Sequence, residues 1–198
     1  YTRLTAMTPQ GEQSLRDYLE SGGNYLGFCA GAYATADQLS FAEHASGGNG
    51  TYNVSSDYQD FSEYYTLNVF DVGVVKGPLG WYPWNPIQAG YDIARINQDN
   101  AVMKKINLPQ VTRFFYAGGP FFDLKTLPVG YEVWAFAQKP ESAPASANIG
   151  DGKPTIIQYP FGEGTVILFS YHPEILINDT TDNVTLKTYY NEKTLTWD

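Results

Sequence analysis

The sequence is poor in the residues that build disulfides, metal sites and nucleic-acid interfaces. Its 198 residues include one cysteine, two histidines, and 12 lysines and arginines against 21 aspartates and glutamates, for a net charge of −9. One cysteine forms no intrachain disulfide, and together with two histidines it gives no ligand cluster, so no metal or other cofactor is predicted. The acidic balance argues against a nucleic acid or an anionic membrane as partner. No run of 18 apolar residues occurs, so no membrane span is expected.

The chain begins Tyr1-Thr2-Arg3, with neither an initiator methionine nor a signal peptide. We therefore expect a processed chain or a fragment. A lone cysteine in a secreted protein is an intermolecular partner, an inert buried residue or a reactive group. Four Asn-x-Ser/Thr sequons in two polar clusters predict an N-glycosylated, extracellular protein. The sequons begin at Asn49, Asn53, Asn178 and Asn183.

Hydrophobic residues make up 43% of the chain, which is ample for the core of a single domain over 1–198. Thr8-Pro9 predicts the start of a helix, Gly22-Gly23 its end, and 25–28 a short strand. This alternation predicts an α/β fold with a parallel sheet. Later apolar stretches predict strands at 91–96, 111–116, 131–137, 155–159 and 165–170. Three other segments are predicted as two loop insertions and a C-terminal tail: 37–60, 76–90 and 178–198.

The stretch Gly27-Phe28-Cys29-Ala30-Gly31 has the pattern of a nucleophile elbow with cysteine at its centre. A strand precedes it, an alanine-rich helix start over 30–36 follows it, and its glycines suit a turn without room for a Cβ. A thiol at a helix N-terminus is expected to favour the thiolate form. The alternative for Cys29 is a small, inert, buried side chain.

A cysteine nucleophile needs a base, and the sequence offers two histidines. His44 lies in a polar stretch rich in glycine, whereas His172 ends an apolar strand and is followed by Pro173 and Glu174. Active-site loops lie at strand ends in α/β folds, so Cys29 and His172 can meet at one edge of the sheet. Glu174 is predicted to orient the imidazole, which gives a Cys-His-Glu triad. The alternative for His172 is a surface histidine in a loop.

Two backbone amides are expected to form an oxyanion hole. The amide of Ala30, just after the nucleophile, is the first candidate. The second donor has to come from another strand-end loop. Its source is either the Gly118-Gly119 turn or sequence that precedes Tyr1.

Three patches, at 23–33, 116–122 and 162–174, carry a resemblance to a known family. With the motifs G-x-C-A-G and H-P-E, the chain resembles the class I glutamine amidotransferase-like superfamily. It is most similar there to the amidotransferase-like domain at the N-terminus of fungal biotin–protein ligases. The resemblance implies a Rossmann-like, flavodoxin-type three-layer sandwich with a mostly parallel sheet. It also implies that Cys29 is the nucleophile, His172 the base and Glu174 its partner.

The sequence departs from that superfamily in two ways. The β-α units that precede the elbow helix there are missing, and without them a strand edge would be exposed. We expect a second polypeptide or a nicked precursor to supply them. No ligase or synthase domain follows Glu174, which favours a hydrolase over an amidotransferase.

The predicted function is hydrolysis of an amide bond through a thioester on Cys29. The expected substrate is glutamine, a γ-glutamyl compound or a peptide. Two alternatives stay open. One is a non-catalytic glycoprotein that binds a ligand such as a carbohydrate through Trp81, Tyr82 and Trp84. The other is an ammonia-donating subunit of a complex.

Overall fold

The computed structural model describes residues 7–42, 58–60, 67, 69–70, 72–77, 90–139 and 150–175. Helices and strands are mixed along these residues, as the predicted α/β class requires. In chain order the elements are α1 (Pro9–Glu20), β1 (Asn24–Phe28), α2 (Ala30–Tyr33), β2 (Gln38–Ala42), β3 (Tyr58–Asp60), β4 (Val74–Gly77), β5 (Gly90–Ile96), α3 (Ala101–Ile106), β6 (Val111–Tyr116), β7 (Phe121–Phe122), β8 (Glu132–Ala137), β9 (Pro154–Phe161) and β10 (Gly164–Phe169). No helix within the described ranges is long and apolar enough to cross a membrane.

The larger sheet has six strands in the order β1-β10-β9-β8-β5-β6. Only β1 and β10 run parallel, and every other neighbouring pair is antiparallel. The α/β class is thus confirmed, but the predicted mostly parallel sheet is wrong. Parallel neighbours need a long crossover, whereas β9 and β10 are joined by the two-residue turn Gly162-Glu163, with Gly162 at φ 57°.

A second sheet joins β3, β2, β4 and β7 in that order. Two of its strands, β2 and β3, fall inside segment 37–60, so the loop prediction is wrong for 38–42 and 58–60. Strand β2 pairs with β3 and also with β4, which lies more than thirty residues from β2 along the chain. The local polar composition does not reveal such pairing. Residues 78–89 of the second predicted loop, and the whole tail 178–198, lie outside the described residues.

The helices follow local capping signals. The hydroxyl of Thr8 accepts a hydrogen bond from the Gly11 amide at 3.1 Å, and the predicted helix start is confirmed. Helix α2 is shorter than expected, since the prediction covered 30–36 and the helix ends at Tyr33. Helix α3 was not predicted, although the side chain of Asn100 caps it by accepting from the amides of Val102 and Met103.

Strand β10 packs on both of its faces. Val166 and Leu168 are fully buried in a core shared with Leu19 of α1 and with α2. On the opposite face, Ile167 packs in a second core with Met103 of α3. Each fully buried aliphatic side chain contributes about 1.5–3 kcal/mol. Residues on both faces of β10 therefore belong to a hydrophobic core, and α1 and α2 contact the strand on one of them.

The larger sheet curls enough to bring the residues that follow its first and last strands into contact. β1 and β6 are five strand spacings apart, roughly 24 Å in a flat sheet at about 4.8 Å per strand. Yet Cys29, one residue after β1, has its sulfur 3.7 Å from the carbonyl oxygen of Ala117, one residue after β6. A backbone bridge joins Phe115 of β6 to His172, which follows β10. The ends of β1, β6 and β10 therefore converge at one place.

Candidate active site

Cys29 has a strained backbone conformation between β1 and α2. Its φ is 47° and its ψ is −102°, and among the described residues only one other non-glycine residue, Asn107, has a positive φ. Such a conformation costs roughly 1–3 kcal/mol and persists only where the surroundings enforce it. Here the Cys29 amide donates to the carbonyl of Phe169 at 2.9 Å, which extends the β1–β10 pairing into the turn.

At Gly27 the elbow has no room for a side chain. A Cβ on Gly27 would lie 2.7 Å from the ring of Tyr25 and 2.9 Å from the backbone of Gly31. The hydroxyl of Tyr25 donates to the carbonyl of Gly31 at 2.9 Å, and its ring packs 4.5 Å from that of Phe70. Burial raises the pKa of Tyr25, so its hydroxyl stays a donor. Tyr25 therefore stabilises the turn through this hydrogen bond and this packing.

Tyr25→Phe is expected to lower the free energy of unfolding by about 1 kcal/mol, because the Gly31 carbonyl loses its donor while the ring keeps its packing. Chemical denaturation measures the effect. Tyr18→Phe is the matched control, since Tyr18 is 55% exposed and its hydroxyl has no hydrogen-bond partner within the described part of the chain. Equal stabilities for the two variants would contradict this role of Tyr25.

The thiol of Cys29 is held in its neutral form. It donates to the carbonyl of Ala117 at 3.7 Å. Burial raises the pKa of the thiol to about 11; the Ala30 amide lowers it and the Glu174 carboxylate raises it. The expected thiolate preference is therefore wrong for this conformation. Helix α2 has only four residues, so its dipole is too weak to offset the burial.

His172 and Glu174 form a hydrogen-bonded pair at the same edge of the sheet. Nδ1 of His172 lies 2.7 Å from Oε1 of Glu174, and the backbone amide of His172 donates to the Phe115 carbonyl at 2.9 Å. The His172 side chain is 21% exposed and that of Glu174 is 47% exposed. Among the described residues no hydrogen bond joins His172 to Cys29. The charge of Glu174, which acts on the thiol, links the pair to Cys29.

Gly118 and Gly119 lie beside the elbow and are held by two tyrosines. The hydroxyl of Tyr33 donates to the Gly118 carbonyl at 2.9 Å, and that of Tyr116 donates to the Gly119 carbonyl at 2.8 Å. A Cβ on Gly119 would overlap the carbonyl of Ser170. Tyr33 and Tyr116 lie in the patches 23–33 and 116–122, but no role was predicted for either side chain. For Tyr33 a signal existed, since it lies four residues after Cys29 and so one helical turn along α2.

Several predicted residues lie outside the described part of the chain, and for them the predictions stay predictions. They are the glycosylation sites Asn49, Asn53, Asn178 and Asn183, the second histidine His44, and the aromatic group Trp81, Tyr82 and Trp84. Within the described ranges, no group of three or more His, Cys, Asp or Glu residues could hold a metal ion.

One family model matches almost the whole chain, that of "Biotin-protein ligase, N terminal", over residues 2–196. No curated protein matches the chain. A solved structure of a ThuA-like protein from Bacteroides uniformis is similar at 16% identity and a TM-score of 0.47, over 90% of this chain. The match spans 61% of that protein's length. The chain belongs to the biotin-protein ligase N-terminal family.

Proposed function

We propose that this chain hydrolyses an amide bond through a thioester formed on Cys29. The observation that carries the proposal is the strained backbone of Cys29, at φ 47° in a tight strand-to-helix turn. Strain of this kind is concentrated at active sites, and this turn is the one that presents a nucleophile above a sheet. The family match, with the motifs G-x-C-A-G and H-P-E, supports membership of the class I glutamine amidotransferase-like superfamily.

The proposed reaction has two balanced steps. In the first, the sulfur of Cys29 attacks the amide carbonyl, a C–S bond forms and the C–N bond breaks. His172 takes the thiol proton and delivers it to the leaving nitrogen, which departs as ammonia or an amine. In the second, water attacks the thioester, a C–O bond forms and the C–S bond breaks. One water proton returns to the sulfur through His172, and a carboxylic acid is released.

The His172–Glu174 pair suits this role. A neutral His172 that donates its Nδ1 proton to Glu174, over 2.7 Å, keeps a lone pair on Nε2 for the thiol proton. The imidazolium that forms is then stabilised by the Glu174 carboxylate. The amide of Ala30, which lies beside the sulfur, is the first oxyanion donor.

Release of amine tests the proposal. Purified protein supplied with glutamine, γ-glutamyl amides and short peptides is expected to release ammonia or an amine from one of these classes. Acid quenching during turnover is expected to trap an acyl group on Cys29, detected by mass spectrometry of its peptide. The assignment is direct, because the chain has one cysteine. Absence of both amine release and adduct with all three classes would contradict the proposal.

Ligand binding without catalysis is the second candidate function. It is favoured by the neutral thiol, which donates to Ala117 and whose pKa is raised to about 11, because a protonated thiol is a poor nucleophile. Under this candidate no acyl adduct forms with any amide. Binding of an oligosaccharide ligand would then be unchanged in Cys29→Ala.

A further inference from the structure

We propose that the peptide between Ala117 and Gly118 is a switch, whose rotation supplies the second oxyanion donor, the amide of Gly118. The inference rests on the proposed function, because only acyl transfer requires such a donor. It adds to that function two conformations of the site, a resting one without the second oxyanion donor and an active one with it.

In the observed conformation this peptide presents the wrong group to the sulfur. Its carbonyl oxygen, that of Ala117, accepts from the Cys29 thiol at 3.7 Å. In a planar trans peptide the C=O and the following N–H point in opposite directions. The N–H of Gly118 therefore points away from the sulfur. An oxyanion on a carbon bound to that sulfur would be stabilised by the Ala30 amide but repelled by the Ala117 oxygen.

Gly118 is the residue that permits the rotation. Its φ is 83°, in the left-handed region, and a half-turn of the preceding peptide brings it to about −97° (83 − 180), which is open to any residue. The neighbouring segment is fixed. Tyr33 and Tyr116 hold the carbonyls of Gly118 and Gly119, and Gly119 packs directly on the backbone of Ser170. One peptide can therefore rotate while the Cα positions on either side stay in place.

Ionisation of Cys29 is coupled to this rotation. The neutral thiol has a proton to donate to the Ala117 carbonyl, whereas a thiolate repels that oxygen and attracts the Gly118 N–H. Each event favours the other, as thermodynamic coupling requires. Glu174 opposes the thiolate, and His172 is bonded to Glu174. Among the described residues, the titratable side chains linked to the elbow and its neighbouring turn by a hydrogen bond or by charge include Glu174, His172, Tyr25 and Tyr33.

Alkylation of Cys29 by iodoacetamide tests the switch without any substrate. Gly118→Ala adds a Cβ to a left-handed residue, so it penalises the observed conformation and not the rotated one. The alkylation rate at neutral pH is expected to rise about 5- to 30-fold, the factor that corresponds to the left-handed penalty. Gly152→Ala is the matched control. Gly152 has a φ of 70° with no atom within 4 Å of an added Cβ, and its variant is expected to keep the wild-type rate.

A second measurement serves if Gly118→Ala does not fold. Wild-type crystals soaked at neutral pH with an aldehyde that adds to the Cys29 sulfur are expected to show the Gly118 nitrogen within hydrogen-bond distance of the hemithioacetal oxygen. A folded Gly118→Ala that alkylates at the wild-type rate, or aldehyde-treated crystals with the Ala117 oxygen still facing the sulfur, overturns the switch. Faster alkylation of Gly118→Ala in a protein that releases no amine would instead retain the switch and count against the proposed function alone.

Discussion

Cys29→Ala is expected to lower the rate of amide hydrolysis by about 10⁵-fold or more, the size of loss seen when a covalent nucleophile is removed. The sulfur is the atom that bonds to the substrate carbonyl, and the chain has no other cysteine to replace it. The measurement is kcat/KM for amine release with the best substrate. A Cys29→Ala variant within tenfold of wild type would contradict the thioester mechanism.

Cys29→Gly is the companion variant, because it separates backbone strain from chemistry. Alanine keeps a Cβ at φ 47°, ψ −102°, whereas glycine adopts positive φ without penalty. We expect Cys29→Gly to be more stable than Cys29→Ala by about 1 kcal/mol and equally inactive. Chemical denaturation and the amine assay test the two statements separately. A less stable glycine variant would show that the turn is not strained at Cys29.

Gly119→Ala is expected to lower the free energy of unfolding by about 3 kcal/mol or more, as forced overpacking of a core does. Its Cβ would overlap the carbonyl of Ser170, which cannot move freely. The Ser170 amide donates to the Thr155 carbonyl at 2.8 Å, and its hydroxyl bonds to the carbonyls of Thr155 and Pro120. Denaturant-induced unfolding measures the loss.

Gly152→Ala is the reference for Gly119→Ala. It adds a methyl group to an exposed glycine in open space at φ 70°, so it carries only the backbone penalty of about 1–2 kcal/mol. The difference between the two variants isolates the contact of Gly119 with Ser170. If Gly119→Ala were as stable as Gly152→Ala, the close approach of the two backbone segments would be refuted.

The features that could be predicted from the sequence are those with local causes. The start of α1 at Thr8-Pro9 follows from a cap, and its end before Gly22-Gly23 follows from a glycine at positive φ. The strands at 111–116 and 165–169 follow from runs of apolar and β-branched residues. The pattern around Cys29 predicted a turn between a strand and a helix, and the turn is there. In each case the residues concerned lie within a few positions of one another.

Strand direction and sheet order could not be predicted in the same way. An apolar strand can have the same composition in a parallel or an antiparallel pair. The residues of each strand therefore could not test the expectation of a mostly parallel sheet. Strand β2 lies in a polar segment that was predicted as a loop, so its pairing with β4 could not be predicted either. Both depend on contacts between segments far apart in the chain, whose energies no single segment encodes.

The sequence by itself determined the position of the one thiol in a tight turn and the presence of a histidine and a glutamate at the end of a later strand. Only the tertiary structure decided the state of that thiol. The curl of the sheet places Ala117, 88 residues away along the chain, against the sulfur as a hydrogen-bond acceptor, and Glu174 near it as a negative charge. A pKa depends on burial and on neighbours in space, so it is a property of the folded chain.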